Sequence, residues 1–344
     1  MEKPLVICLT PIKDEAWILE RFLRCTSTWA DHIIIADQQS KDGSKEIARR
    51  FPKVTLIENS SESFNEPDRQ QLLISEARKI PGPKVLMALD ADECFTSNLL
   101  SSPEWQTILN APPGTVIRFQ WLEVFADTQG LCYFRFPWDP PIGIVDDGAE
   151  HKGSPIHSVR IPWDASAPTI TPTQIKLMHY CLLDRERFKS RIRWYQCYEH
   201  LNTNSRPIRL YRFYHQDLFV ASDAIKPVPT QWVQGYEESG IDMSSVQRQA
   251  AYRWDREVLQ LFEKHGTGRF KRLGVWDANW TELYRQLYPQ GPVRGVVDPR
   301  SLLDRAVHKW LRLTQPDFCH YAKPGAGRSL MHRSVEKVLQ LFGW

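Results

Sequence analysis

Four short apolar runs in the first ninety residues alternate with segments of helical periodicity, and this alternation limits the possible folds more than any other feature. The runs are residues 5–9 (LVICL), 32–36 (HIIIA), 54–57 (VTLI) and 85–89 (VLMAL). Apolar runs of this length, bounded by turn residues, are typical of strands buried on both faces. The order β-α-β-α-β-α-β predicts an α/β fold in which a mostly parallel, twisted sheet has helices on both faces.

The loops that follow the strands of such a sheet gather at one edge, and ligands of open α/β sheets bind at that edge. In this chain those loops are Thr10-Pro11, Asp37-Gln38, residues 59–65 and the run from Asp90 to Glu93. A helix is predicted over residues 14–29, with Asp14 as its cap. The sequence therefore predicts one ligand crevice built from four separated segments.

The last of these loops carries three carboxylates within four positions: Asp90, Asp92 and Glu93. Asp90 and Asp92 are two residues apart, so in extended backbone their side chains point the same way. Like charges held this close need a positive partner. Mg²⁺ or Mn²⁺ is such a partner, and it takes its other ligands from water and substrate phosphates. The alternative interpretation is a solvated turn or a helix cap.

The composition excludes several classes of protein. The 344 residues include 44 Lys or Arg and 41 Asp or Glu, and a net charge of +3 does not favour a nucleic-acid partner. Seven scattered cysteines without a Cys-x-x-Cys pair predict reduced thiols, with neither a disulfide framework nor a zinc site. Without a signal region or a membrane-length apolar stretch, we expect a soluble, cytoplasmic protein, with peripheral membrane association left open. Dinucleotide-binding, P-loop and His-Glu-x-x-His motifs do not occur.

Four segments, in this order, resemble those of one enzyme family. They are Leu9-Thr10-Pro11-Ile12-Lys13-Asp14-Glu15, residues 34–44 (IIADQQSKDGS), Asp68-Arg69-Gln70-Gln71 and Leu89-Asp90-Ala91-Asp92-Glu93. Through them, residues 5–100 are similar to the nucleotide-binding half of family 2 glycosyltransferases, which have the GT-A fold. The resemblance implies metal-dependent transfer of a sugar from a nucleotide-diphospho-sugar to an acceptor hydroxyl, with inversion at the anomeric carbon. Beyond residue 100 it is diffuse.

The resemblance also implies a metal site, with Mn²⁺ or Mg²⁺ as the cofactor. Asp92 is the first candidate ligand, and Asp90 either shares the metal or contacts the ribose. His179 follows a predicted strand at 175–178, in the part of the chain from which relatives often bring a histidine to the metal. The alternative for His179 is a structural histidine.

The same resemblance implies a set of residues that contact the nucleotide: Thr10, Pro11, Glu15, Asp37, Gln38, Arg69 and Asp90. Many relatives have a carboxylate where this chain has Gln38, so the identity of the base stays open, although an amide both donates and accepts. Asp37 would contact the base or the ribose, or else cap a turn. Arg69 would contact the ribose or phosphates, or else form a surface salt bridge.

An inverting transfer needs a general base for the acceptor hydroxyl. The family places that carboxylate in a loop-rich segment like this chain's residues 126–175. The candidates there are Asp146, Asp147 and Glu150, with Asp147 preferred, and the alternative for each is a solvated loop acid.

We therefore expect a GT-A glycosyltransferase domain over residues 1–239, with a nucleotide-binding half at 1–100 and an acceptor half at 101–239. A mainly helical region is expected to follow at 240–344. The acceptor would be a glycan, a lipid-linked sugar or another hydroxyl compound. Two other functions stay open: a non-catalytic nucleotide-sugar or glycan-binding protein on the same fold, and a phosphatase of the haloacid-dehalogenase type, which also uses Asp-x-Asp after a strand.

Overall fold

The computed structural model describes residues 3–61, 65–216, 220–290, 295–319 and 330–344. The strands are β1 (Leu5–Ile12), β2 (His32–Asp37), β3 (Val54–Glu58), β4 (Lys84–Ala88), β5 (Glu93–Phe95), β6 (Val116–Arg118), β7 (Trp121–Ala126), β8 (Leu131–Arg135), β9 (Pro141–Val145), β10 (Thr169–Ile170), β11 (Leu177–His179) and β12 (Lys226–Pro227). The helices are α1 (Leu19–Thr26), α2 (Ser44–Arg49), α3 (Glu66–Arg78), α4 (Pro103–Leu109), α5 (Arg185–Asn202), α6 (Pro207–Tyr214), α7 (Gln234–Glu237), α8 (Arg253–His265), α9 (Trp280–Leu287), α10 (Leu302–Thr314) and α11 (Leu330–Leu341).

The chain forms two compact units. The first contains Met1–Leu183 and Lys226–Gln247, and the second contains Asp184–Ile225 and Arg248–Trp344. The helical character predicted for the C-terminal region is confirmed, but the division differs from the predicted boundary at residue 239. The second unit takes α5 because a buried Arg193 on that helix forms an ion pair of 2.9 Å with Asp255 of α8.

The first unit is built on a sheet of seven strands in the order β10-β6-β9-β4-β1-β2-β3. Strands β1 to β4 pair in parallel, and β9 runs antiparallel between β4 and β6. Alternate residues of β1 enter opposite cores: Cys8 packs with Phe22 of α1, and Leu9 packs with Leu73 of α3. The predicted α/β fold, with a mostly parallel sheet and helices on both faces, is confirmed.

Strand β1 is longer than the predicted run at 5–9, because Thr10 and Pro11 continue it rather than form a loop. The pairing of β1 with β4 ends at Leu9, whereas its pairing with β2 continues to Ile12. Beyond Leu9, β1 therefore has a neighbour on one side only. A proline, which has no N–H to donate, is tolerated at such an edge.

The first helix begins later than predicted, at Leu19 rather than at Asp14. Asp14 has a φ of 56°, a left-handed conformation that does not continue into a helix. Its carboxylate accepts a hydrogen bond from the backbone N–H of Lys41 at 2.8 Å instead of capping α1. Asp14 thus fastens the loop after β1 to the loop after β2.

A second sheet, in the order β12-β8-β7-β11-β5, completes the first unit. The chain leaves the main sheet at Ala88 and enters the second sheet at Glu93, so Asp90 and Asp92 lie on the crossing. On β11, His179 pairs in register with Glu93 of β5 and with Glu123 of β7. One row across this sheet therefore holds two carboxylates and an imidazole beside the crossing.

In the second unit, α6 and α10 share a small apolar core. Tyr211 of α6, Val307 and Leu311 of α10, and Trp344 pack together in it. No helix of the described residues is long and apolar enough to cross a membrane. All seven cysteines lie within the described ranges, and none of them is in a disulfide.

A buried histidine on α10 predicts that acid destabilises the protein. Burial, together with the charge of Arg300, lowers the pKa of His308 to about 4. The unfolded chain binds a proton at this residue below about pH 6.5, whereas the folded chain does not until about pH 4, so stability falls with pH between those values. The loss should be about 2 kcal/mol between pH 7 and pH 5.

Denaturant unfolding of the intact protein at pH 7 and pH 5 measures this loss, and His308→Gln is the matched variant. The glutamine amide can still donate to the Arg272 carbonyl, which accepts from His308 Nε2 at 3.2 Å. The variant should lose less stability than the wild type over the same pH interval. Equal losses in the two proteins would contradict the assignment.

Candidate functional site

The carboxyl ends of three neighbouring strands meet at one edge of the main sheet. Ile12 at the end of β1 pairs with Asp37 at the end of β2, and Leu9 of β1 pairs with Ala88 at the end of β4. The crossing that contains Asp90 and Asp92 follows directly. Three of the four segments expected to form a crevice therefore lie side by side in the structure. In the fourth, 59–65, the backbone N–H of Asn59 donates to the Asp37 carbonyl at 2.8 Å, and residues 62–64 lie outside the described residues.

Asp92 faces His179 at this edge. The distance between Asp92 Oδ2 and His179 Nε2 is 3.5 Å, and both side chains are buried. The other ring nitrogen of His179, Nδ1, lies 2.8 Å from Glu123 Oε2. In a neutral imidazole, a carboxylate that accepts from Nδ1–H keeps the proton on that nitrogen, and the Nε2 lone pair is then directed toward Asp92.

The pair of Asp92 and His179 fits a divalent ion. Two ligands about 2.1 Å from an octahedral ion lie about 3 Å apart when they are adjacent, so the observed 3.5 Å needs little change. A carboxylate oxygen and an imidazole nitrogen are both ligands of divalent metal ions in proteins. The carboxylate–histidine pair formed by Glu123 and His179 is the arrangement that orients metal-binding histidines in proteins.

The electrostatics of His179 agree with this role. Burial lowers the pKa of His179, but the neighbouring Cys181, Glu123 and Asp92 outweigh that effect and raise it well above its usual value. A group with such a surplus of negative neighbours is a site for a cation, either a proton or a metal ion. An ion bound at Nε2 would therefore replace a proton.

Asp90 points to a different partner, Arg160. The Arg160 guanidinium donates to Asp90 Oδ2 at 2.8 Å and to both carboxylate oxygens of Glu93, at 2.5 and 3.0 Å. The Glu93 side chain is fully buried, and burial raises its pKa even though Arg160 opposes that shift. Arg160 thus neutralises two of the three carboxylates and leaves Asp92 to the imidazole.

Sequence reasoning missed Arg160 and Glu123 as members of the site, and it gave Glu93 no role of its own. Arg160 comes from the loop-rich segment between β9 and β10, which passes along the start of α3. There the backbone N–H of Ser158 donates to Glu66 Oε2 at 2.7 Å, and Ile161 is buried in the core. No sequence motif predicts that an arginine 70 residues downstream contacts these carboxylates, because tertiary packing determines the course of the segment that carries it.

The segment after β2 is held by local hydrogen bonds. Asp37 is buried, accepts from the backbone N–H of Ser40 at 3.1 Å and lies 3.7 Å from Lys45 Nζ. The side-chain amide of Gln38 donates to the carbonyl of Ser61 at 2.9 Å. Asp37 therefore lies at the edge where a nucleotide contact was expected. Its own contacts are those of a residue that caps a turn, which was the alternative interpretation.

The other residues expected to contact the nucleotide lie near the same edge, and each interacts with a residue close to it in the sequence. Thr10 is fully buried, and its hydroxyl lies 3.5 Å from Cys8 Sγ. The Glu15 carboxylate accepts from the indole N–H of Trp17 at 2.7 Å. Arg69 lies in the first turn of α3, where its charge opposes the burial that raises the pKa of Glu66.

The three candidate bases lie at the opposite edge of the sheet. The backbone N–H of Asp146 donates to the carbonyl of Lys84, which begins β4, and the Asp146 carboxylate pairs with Arg78 at the end of α3. Strands advance about 3.3 Å per residue, so Lys84 and Asp90 are roughly 20 Å apart. The Asp147 carboxylate accepts from the backbone N–H of Ala149, whose carbonyl is held by Arg78.

The structure therefore does not bring Asp146 or Asp147 to Asp92. Glu150, which follows directly, is solvent-exposed. The reason is the direction of β9, which runs antiparallel to β4 and ends where β4 begins. The loop after β9 consequently starts at the wrong edge for the role that the resemblance implied.

No family model matches the chain, and no curated protein matches it. The crystal structure of S. aureus TarS 1–349 is 11% identical, covers 90% of each chain and has a TM-score of 0.37. Glucosyl-3-phosphoglycerate synthase from Mycobacterium tuberculosis is 11% identical over 37% of this chain and 46% of that one, with a TM-score of 0.25. A 4-diphosphocytidyl-2C-methyl-D-erythritol synthase is 13% identical over 42% and 76%, with a TM-score of 0.29. Likenesses this distant carry no functional argument, which has to come from the site itself.

Proposed function

We propose that this protein is a metal-dependent glycosyltransferase of the GT-A type, which transfers a sugar from a nucleotide-diphospho-sugar to an acceptor hydroxyl with inversion. The observation that carries the proposal is Asp92 at the carboxyl end of β4, 3.5 Å from a histidine whose other nitrogen is held by Glu123. Strand-end carboxylates facing an imidazole form a cation site at the edge where nucleotides bind in open α/β sheets.

The proposed ion would be held by Asp92 and His179. When bound, it would neutralise the charge that develops on the diphosphate leaving group as the glycosidic bond breaks. Glu123 keeps the imidazole oriented toward the ion. Arg160 forms ion pairs with Asp90 and Glu93, so that Asp92 is the carboxylate of the three that faces the imidazole.

Asp90 is proposed to contact the ribose. One of its oxygens accepts from Arg160, and its side chain is 38% exposed, which leaves acceptor capacity toward the crevice. Arg69 is proposed to contact the diphosphate from the first turn of α3, where the helix dipole also favours an anion.

The acceptor proton has to reach a base at this same edge. Asp146, Asp147 and Glu150 are therefore not retained in that role.

A thermal-shift panel of nucleotide-diphospho-sugars, with and without Mn²⁺, tests the proposed function. The cognate donor should raise the melting temperature by several degrees in the presence of Mn²⁺ when its concentration is about a hundred times the Kd. That donor should then be hydrolysed slowly without an acceptor and be consumed faster with one. Binding without transfer or hydrolysis would favour a non-catalytic nucleotide-sugar-binding protein, and release of phosphate from sugar phosphates would favour a phosphatase.

A further inference from the structure

A second set of metal-binding atoms lies on the other side of the His179 ring. Glu123 Oε2 is 2.8 Å from His179 Nδ1 and 3.5 Å from Cys181 Sγ, and the three ligand atoms all lie within 4.8 Å of one another. Cys181 follows β11 by two residues and is buried, and Glu123 is on the neighbouring strand β7. This set shares the imidazole with the proposed site at Asp92, but it uses the opposite nitrogen.

These three atoms suit a different ion. A nitrogen, a carboxylate oxygen and a sulfur are the ligands of Zn²⁺, whereas Mn²⁺ and Mg²⁺ do not favour thiolates. In tetrahedral zinc sites the ligand atoms lie about 3.3–3.6 Å apart. The observed separation of oxygen and sulfur, 3.5 Å, already meets this value, and the 2.8 Å hydrogen bond has to lengthen by about half an ångström.

We propose that Glu123, His179 Nδ1 and Cys181 form a zinc site that inhibits the enzyme by withdrawing His179 from the ion held with Asp92. This inference rests on the proposed function, because it assumes that Asp92 and His179 Nε2 bind the catalytic ion. The fourth zinc position, to which the described residues bring no further ligand atom, would be taken by water.

The two ions exclude each other through the imidazole tautomer. A neutral imidazole has one proton, and while that proton is on Nδ1 and donated to Glu123, Nε2 can bind an ion beside Asp92. Zinc on Nδ1 moves the proton to Nε2, and the Cys181 thiol releases its own proton to solvent. Nε2–H then donates toward Asp92 Oδ2, 3.5 Å away, and offers no lone pair to a second ion.

Cobalt binding tests the zinc site directly, since Co²⁺ replaces Zn²⁺ and shows a sulfur-to-cobalt charge-transfer band when a thiolate binds it. The band should appear in the wild type and in Asp92→Asn, and it should be absent from Cys181→Ser. Cys132→Ser is the matched control, because that thiol is also beside a carboxylate, with Sγ 3.3 Å from Asp127 Oδ2. Its cobalt spectrum should equal that of the wild type.

Displacement of Mn²⁺, followed by electron paramagnetic resonance, tests the exclusion. Zinc should release bound Mn²⁺ from the wild type at a concentration at least about tenfold lower than from Cys181→Ser, as expected for loss of one ligand. Equal displacement from both proteins, or a thiolate band that survives in Cys181→Ser, would overturn the inference. If Cys181→Ser does not fold, Cys181→Ala makes the same comparison. A wild type that binds no Mn²⁺ at all would contradict the proposed function, whereas the cobalt band would still report on the zinc site.

Discussion

Asp92→Asn should abolish Mn²⁺-dependent sugar transfer while the protein stays folded. The change removes the charge of the carboxylate that faces His179 Nε2 at 3.5 Å, and it keeps the shape of the side chain. Stabilisation of a developing diphosphate charge by an ion is worth several kcal/mol, so the loss of activity should be about a thousandfold or more. Steady-state transfer at saturating donor measures the loss of activity, and a Mn²⁺ titration measures the loss of metal affinity.

Asp147→Asn is the matched control for that experiment. It makes the same chemical change in an exposed loop at the opposite edge of the sheet, and it also tests whether Asp147 is the base. We expect its activity to stay within about twofold of the wild type, because the carboxylate is exposed and accepts from the nearby Ala149 N–H. An active Asp92→Asn, or an inactive Asp147→Asn that remains folded, would reverse the assignment of the site.

The fold of the first hundred residues was predictable because the physical signals there are local. Each strand is a run of apolar residues, and turn chemistry such as Asp42-Gly43-Ser44 ends the loops between them. Parallel order and right-handed crossovers then bring the strand ends to one edge without further information. Asp92 could be placed for that reason, since its position depends only on the length of the strand that precedes it.

The candidate bases lie away from Asp92 for a reason that is not local. Residues 141–145 (PIGIV) are apolar and form a strand. Their sequence does not indicate that β9 joins the main sheet in the antiparallel direction, beside β4. Strand direction depends on pairing partners far away in the sequence. Arg160 could not be predicted for the same reason, because its two carboxylate partners precede it by about 70 residues in the sequence.

The zinc site proposed above would lie outside what the cysteine pattern can predict. The absence of a Cys-x-x-Cys pair predicted that the chain has no zinc site, and that rule covers ligands that are close in sequence. Cys181 and His179 are close in sequence, but Glu123 joins them only through the pairing of β11 with β7. The compact units also differ from the predicted division at residue 239, because α5 is bound to α8 by the buried pair of Arg193 and Asp255, and a basic run alone does not reveal its acidic partner.

Replacing Arg160 by methionine should destabilise the protein by about 3–5 kcal/mol, the cost of removing one partner from a buried ion pair. The Glu93 side chain is fully buried, and among the described residues it would keep the hydrogen bond that its Oε2 accepts from the backbone N–H of Asp90 at 2.9 Å. Denaturant unfolding at pH 7 measures the loss. The double variant Arg160→Met/Glu93→Gln should recover much of it, because the amide can still accept that hydrogen bond and carries no charge.

The pH dependence of Arg160→Met distinguishes a lost charge partner from lost packing. Burial already raises the pKa of Glu93, and without Arg160 it should rise further. The folded variant then binds a proton that the unfolded chain releases, so its stability should fall with rising pH from about pH 5 upward, by at most about 1.4 kcal/mol per pH unit. The double variant, which has no ionisable group at residue 93, should not show this slope. A slope in both proteins, or in neither, would mean that Arg160 acts through its volume and not through its charge.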